Sequence, residues 1–247
     1  MQRYFIELSY KGTRYHGWQV QPNALSVQEV LETTMSTFLR QKIEVTGAGR
    51  TDTGVHASFY VAHFEADNLP FALPDLVEKL NRFLPSDIAL HRIRPVPGDM
   101  HARFSATRRT YHYYISRKKD PFTLDTSYQY LLPLDVDAMN RAAALLIGED
   151  DFTSFSKLHS DVKTNICKVY EAFWKEERSM LVFTISADRF LRNMVRAIVG
   201  TLMEVGRHKI TMDEFMEIIA RKDRGAAGTS APPQGLFLAG IEYPVIP

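Results

Sequence analysis

Gly47-Ala48-Gly49-Arg50-Thr51-Asp52-Thr53-Gly54-Val55-His56-Ala57 is the most unusual stretch of the chain, and the fold and chemistry read outward from it. Three glycines within eight positions mark a backbone that bends sharply or runs close against something. Strand-like runs over residues 43–46 and 58–64 flank it, so the stretch is a turn between strands. Two phosphate cradles fail to fit. A dinucleotide fingerprint closes on a small residue before a helix, where Asp52 stands here. A P-loop requires Gly-Lys-Ser/Thr, and the stretch has no lysine. Arg50 and Asp52, two positions apart, can project from one side of an extended strand end. An arginine beside a carboxylate lowers its pKa by ~1–3 units. Two readings follow: an ionised carboxylate fit for nucleophilic or electrostatic work, or a hairpin turn held by a structural ion pair.

Around this turn the chain alternates strands and helices. Tyr4, Ile6, Leu8 and Tyr10 alternate with Arg3, Phe5, Glu7 and Ser9, the pattern of a half-buried strand. Ser26-Val27-Gln28-Glu29 has the form of a capping box and opens an amphipathic helix through Leu39. A helix over residues 74–84 and a strand over 88–93 complete the first half, and Pro95-Val96-Pro97-Gly98 reads as a joint. A strand over 107–116 and a helix from Asp135 to a stop at Gly148 follow. Two strands then flank a hairpin at Glu176-Glu177-Arg178-Ser179. The most periodic helix carries Leu191, Met194, Val195, Ile198, Val199, Leu202 and Met203 on one face and ends at Gly206. Thr211-Met212-Asp213-Glu214 is a second capping box, residues 224–235 read as a mobile loop rich in Gly, Ala and Pro, and a strand over 236–243 comes last.

This order predicts an α+β fold: two similar halves forming an extended, mostly antiparallel sheet with helices on one face and a central active cleft. The halves are expected at 1–105, carrying the aspartate turn, and 106–247. The chain has 247 residues, 45% of them apolar, ample for a buried core. Its formal net charge is +1, so attraction to a polyanion must come from local basic clusters. Cys167 is the lone cysteine, which excludes an intramolecular disulfide and a cysteine-rich metal site. The eight histidines show no metal-binding spacing, so no metal is expected. The N-terminus reaches Glu7 too early for a signal peptide, and no apolar run approaches the ~20 residues of a membrane span. The chain reads as soluble and cytoplasmic, without membrane contact.

Gly49-Arg50-Thr51-Asp52-Thr53-Gly54-Val55-His56-Ala57 resembles the signature of the tRNA pseudouridine synthase A family. Further matches follow in family order. They are Tyr10-Lys11-Gly12-Thr13-Arg14-Tyr15-His16-Gly17-Trp18-Gln19-Val20-Gln21-Pro22, Phe104-Ser105-Ala106-Thr107-Arg108-Arg109-Thr110-Tyr111, Asp151-Phe152-Thr153-Ser154-Phe155, Met194-Val195-Arg196, and Gly235-Leu236-Phe237-Leu238. The resemblance implies an isomerase that makes pseudouridine at positions 38, 39 and 40 of the tRNA anticodon arm. It implies Asp52 as nucleophile, Arg196 as the basic residue paired with it, Tyr111 stacked on the target uracil, Leu236 packed beneath the base, and Arg50 steadying the space a displaced base leaves. It also implies a homodimer bound to tRNA. No cofactor is expected, because the reaction neither gains a group nor changes oxidation state.

Arg103, Arg108 and Arg109, with His101, His112, Arg117, Lys118 and Lys119, lie among Phe104, Tyr111, Tyr113 and Tyr114, a mixture suited to phosphates and stacked bases. For Lys118 and Lys119 a solvated strand edge fits as well. His159-Ser160-Asp161 has the composition of a triad, but adjacent side chains rarely converge. Glu149-Asp150-Asp151 follows a helix end and reads as a cap for the next turn. Two rivals remain: a catalytically silent RNA-binding module, and an enzyme such as a nucleoside hydrolase that turns Asp52 on a small substrate.

Overall fold

The computed structural model describes residues 1–157 and 164–244; the His159-Ser160-Asp161 stretch lies outside them. Among the described residues are five α-helices and nine strands, mostly antiparallel, an α+β fold. The chain divides into two compact units, Met1–Thr107 with Leu238–Pro247, and Arg108–Phe237. The division falls after Thr107, and Pro95-Val96-Pro97-Gly98 lies at the end of a strand inside the first unit. The last strand, from Leu238 onward, groups with the first unit rather than the second.

In the first unit, β1 (Gln2–Tyr10) runs between β3 (His56–Ala66) and β4 (Ile88–Val96), antiparallel to both. Its Ile6 faces Ala62 on one side and Ile93 on the other. The strand is covered more fully than simple alternation predicts. Phe5, on the expected polar face, is fully buried against Tyr243 at 5.0 Å and beneath the Arg94 guanidinium. Helix α1 (Val27–Leu39) buries Val27, Leu31, Met35 and Leu39, each about one turn from the next, and the Ser26 hydroxyl accepts the Glu29 N–H at 3.2 Å. Helix α2 (Leu73–Phe83) buries Leu76 and Leu80. Its Asn81 both donates to and accepts from Leu90 of β4 at 2.8 Å.

The strand expected over residues 43–46 shrinks to β2 (Thr46–Gly47), paired with β3. The amides of Ile43 and Val45 are taken by Ser36 and Glu32 of α1, so these residues follow the helix instead of a neighbouring strand.

In the second unit, β5 (Arg108–Ser116) pairs with β8 (Met180–Ala187), which pairs with β7 (Val169–Glu177). The short β6 (Tyr128–Gln129) adds to β5 in parallel. Arg178, at φ 57°, turns the β7–β8 hairpin. Helix α3 (Val136–Leu145) starts at an Asp135 cap and tightens into a 3-10 turn at Leu146–Gly148. Helix α5 (Met212–Arg221) has both halves of the Thr211–Glu214 capping box.

Helix α4 (Met194–Gly206) departs from the expected one-sided stripe. Ala197, Gly200, Thr201, Val205 and Gly206 are buried along with the apolar face. The segment 224–235 covers it. That segment, expected to be mobile, is instead tied down: Thr201 accepts the Gly228 N–H at 3.0 Å, and Arg224 donates to the carbonyls of Ala227 and Gly228 and to Ser230. Its small residues serve close packing, since a Cβ on Gly200 would lie 1.8 Å from the Thr229 oxygen. The strand β9 (Leu236–Glu242) follows.

Candidate active site

The Asp52 turn is built in the first unit from two segments distant in sequence. After β1 the chain passes tightly against the turn. A Cβ on Gly12 would stand 2.0 Å from the Val55 carbonyl oxygen, and one on Gly17, at φ 87°, 2.2 Å from that of Thr51. Only glycine permits such approaches. The Gly12 N–H donates to Nδ1 of His56 at 2.8 Å, and this histidine is completely buried. The Gly54 N–H donates to the Tyr15 carbonyl at 3.3 Å, and the Val55 N–H closes the turn on the Asp52 carbonyl at 3.1 Å.

Three aromatic rings brace the other end. The Tyr60 hydroxyl, from β3, accepts the Gly49 N–H at 3.3 Å and donates to the Gly49 carbonyl. Its ring stacks on Trp18 at 4.1 Å and meets Tyr10 edge-on at 5.6 Å. The Tyr10 and Thr51 hydroxyls share a hydrogen bond of 2.9 Å. Tyr15 in turn donates to Asp87 at 2.6 Å; burial first, then this carboxylate, holds its hydroxyl far above the ordinary tyrosine range. The turn is thus fixed at Gly49, Thr51, Asp52, Gly54 and Val55, while Asp52 itself is half-buried and Arg50 exposed.

Tyr111, Arg196 and Leu236 belong to the second unit. Tyr111 sits on β5 opposite Ile185, 9% exposed, its ring edge-on to Phe190 at 5.0 Å. Two residues on, and so on the same face of the strand, Tyr113 donates to the Pro232 carbonyl at 2.8 Å. Arg196 lies in the first turn of α4, half-buried. Its Nε donates to the Ala231 carbonyl at 2.7 Å, while its own carbonyl accepts the Ala231 N–H. The carbonyls of Ala231 and Pro232 therefore fasten a helix arginine and a strand tyrosine to one strap. Leu236, 6% exposed, begins β9 directly after that strap. Asn193, at φ 66°, precedes the helix and donates to Ser230 at 2.7 Å.

The predicted RNA-binding arginines are placed differently from one another. Arg108 is engaged on the β-sheet: it pairs with Glu171 at 2.8 Å, donates to Ser186, and lies 5.3 Å from the Tyr170 ring. Arg109 donates to the Asp188 carbonyl at 2.9 Å. Arg103 is exposed, 5.5 Å from the ring of Phe104. Lys118 and Lys119 are exposed, and Arg117 donates to the Tyr130 carbonyl. Asp151 caps the next turn through Thr153, which holds its carboxyl below the usual range. Cys167 is buried, and burial pushes its thiol up to about 12, an inert packing residue. Among the described residues no group of three or more His, Cys, Asp or Glu side chains could hold a metal, and no helix is long and apolar enough to cross a membrane.

Sequence reasoning missed Tyr60, Phe190, Ala231 and Pro232. None carries a local signal, because each acts through a partner brought near only by the fold.

A family model described as tRNA pseudouridine synthase matches residues 8–105 and 142–244. These spans hold Arg50, Asp52, Arg103, Arg196 and Leu236; Arg108, Arg109 and Tyr111 fall between them. The chain is 57% identical to tRNA pseudouridine synthase A of Bacteroides fragilis, over 99% of this chain and 97% of the relative. It is 53% identical to that of Parabacteroides distasonis, over 99% and 97%. It is 41% identical to that of Thermoanaerobacter pseudethanolicus, over 98% of this chain and 100% of the relative. The chain belongs to the tRNA pseudouridine synthase family, isomerases that convert uridine to pseudouridine.

Proposed function

We propose that this protein isomerises uridine to pseudouridine at positions 38, 39 and 40 in the anticodon arm of tRNA, with the Asp52 carboxylate as nucleophile. The observation that carries this reading is the turn itself: its backbone is braced by glycine approaches and a tyrosine hydroxyl, and Asp52 within it is only half-buried. A site held that firmly suits a nucleophile that must meet carbon in one orientation.

The net reaction breaks the bond from ribose C1′ to uracil N1, forms one from C1′ to C5, and moves a proton from C5 to N1. Atoms and electrons balance with no co-reactant. The carboxylate forms a transient covalent bond, either to the ribose carbon, from which it is displaced as C5 attacks C1′, or to the uracil ring, from which it is eliminated as C5 loses its proton. Arg196 takes the family role of basic partner to this carboxylate. Tyr111 stacks on the uracil, Leu236 packs beneath it, and Arg50 steadies the RNA where the base has left its stack, a displacement costing a few kcal/mol. Arg103, Arg108 and Arg109 contribute phosphate contacts; for Arg108 this requires a rearrangement of its Glu171 pair. The assembly is a homodimer, whose second subunit adds basic surface to a chain of formal net charge +1, and it acts in the cytoplasm.

The test is conversion of uridine in an unmodified tRNA transcript by wild type and Asp52→Asn. Product from the wild type, none from the variant, and tRNA binding by both are expected. Binding by both without product from either would support the RNA-binding module instead. Equal activity in both would remove Asp52 from the centre of the reaction.

A further inference from the structure

Residues 100–105 form a bend in the first unit that belongs to no helix or strand, and two histidines hold it. Nδ1 of His101 accepts the backbone N–H groups of Arg103 at 3.0 Å and Phe104 at 3.3 Å, an imidazole doing what an Asn or Asp side chain does in an Asx turn. Nδ1 of His63, a β3 residue only 7% exposed, accepts the Ala102 N–H at 3.1 Å. The two rings meet edge-on at 4.7 Å. Burial lowers the pKa of both rings, leaving them the neutral acceptors this role requires at pH 7.

The rest of the bend is equally well fastened. The Ser105 hydroxyl accepts the His101 N–H and the Ser105 N–H donates to the His101 carbonyl. Arg3 donates to the Met100 carbonyl at 3.0 Å, and the Tyr243 hydroxyl to that of Ala102 at 2.7 Å. Against this fixed backbone Phe104 stands 76% exposed. Its ring is touched from one side by His101, at 4.4 Å between centroids, and accompanied by the Arg103 guanidinium at 5.5 Å. A bend needs no large apolar side chain at its tip, and a core residue would not be left in water. A rigidly presented aromatic face with a cation beside it matches a nucleotide, whose base stacks while its phosphate meets the charge.

We propose that Phe104, with Arg103 beside it, is a stacking platform for one unpaired base of the RNA substrate, and that His101 and His63 are the residues that position it. This rests on the RNA reading above and adds to it a specific base contact.

The experiment measures the Kd of an unmodified tRNA transcript for wild type, Phe104→Ala, Phe104→Leu, Phe104→Trp, His101→Ala and His101→Asn. Melting temperature, oligomeric state and wild-type product formation are recorded alongside. Loss of one aromatic stack weakens binding roughly ten-fold or more, so Phe104→Ala and Phe104→Leu should both show this, with Phe104→Trp near wild type. His101→Ala should weaken binding, and His101→Asn, which restores a short-range acceptor, should recover most of it. Truncating an exposed ring leaves the melting temperature nearly unchanged, so misfolding will not imitate the effect. A Phe104→Ala Kd within two-fold of wild type overturns the platform, whether or not oligomeric state changes. So does a Phe104→Leu protein that binds like wild type, since that marks an apolar contact without stacking. Binding that depends on Phe104 while wild type makes no pseudouridine would remove the isomerase reading and keep the platform.

Discussion

A Cβ on Gly17 would stand 2.2 Å from the carbonyl oxygen of Thr51, the residue before Asp52. The segment after β1 is therefore a support for the turn, packed too closely for any side chain at that point. Gly17 is also at φ 87°, where a substituted residue is strained before it meets its neighbour. Gly17→Ala should lose about 2 kcal/mol of stability or more, from strain and displacement together. Under conditions where the variant remains folded, single-turnover pseudouridine formation should fall much further than tRNA affinity. Urea unfolding and a single-turnover assay check this; full turnover in a stable variant would show that the close approach is irrelevant to the site.

Tyr60 holds both polar groups of Gly49 with one hydroxyl. Tyr60→Phe keeps the ring stacked on Trp18 and removes only that oxygen. The cost in stability should be about 1–2 kcal/mol, because the Gly49 groups lose their partner. A looser turn positions the carboxylate less well, so the single-turnover rate should fall about ten-fold while tRNA Kd stays within two-fold. An unchanged rate would mean that the glycine contacts alone fix Asp52.

Much of this fold is legible in the sequence wherever structure is local. The Thr211–Glu214 capping box forms as spaced, and Ser26 caps α1. The glycine-rich turn lies between two sheet segments as expected, and the ordered motifs pointed to the family. What escaped depends on partners far along the chain. Residues 43–45 have strand composition, but the side chains of Ser36 and Glu32 claim their amides. Residues 224–235 have the composition of a mobile loop, because composition reports backbone freedom and says nothing of acceptors waiting on α4. Gly12 and Gly17 were visible as parts of a motif; that they exist to let two carbonyl oxygens approach is visible only in three dimensions.

His63 makes stability depend on pH. Burial first, then the neighbouring His101 and Arg3, lower its pKa from 6.5 to about 4, with Glu65 opposing. Below pH 6.5 the unfolded ring binds a proton that the folded ring refuses, and Nδ1 cannot accept the Ala102 N–H once protonated. The contribution is full above pH 6.5 and is lost progressively as pH falls toward 4, by at most about 1.4 kcal/mol per pH unit. Urea midpoints at pH 7 and pH 5 should show this loss, and His63→Gln, with a neutral acceptor, should show less of it. Equal pH dependence in both proteins would assign the effect to other groups.

The strap over α4 sets the Arg196 side chain, whose Nε donates to the Ala231 carbonyl. Two substitutions far from any reacting atom should therefore act on the reaction. Gly200→Ala drives a methyl group into the Thr229 oxygen, 1.8 Å from the ideal Cβ. Thr201→Val keeps the volume of a fully buried side chain and removes the oxygen that accepts the Gly228 N–H. The first is expected to cost about 2 kcal/mol or more and the second about 1–2 kcal/mol. If Arg196 serves the nucleophile, both variants should show single-turnover rates at least about ten-fold below wild type with tRNA Kd nearly unchanged, since the strap that its guanidinium bonds to is displaced or loosened. Arg196→Ala should lower the rate further, and adding Thr201→Val to it should produce no additional loss. An additive loss in the double variant would show that the strap affects the reaction by a route other than Arg196.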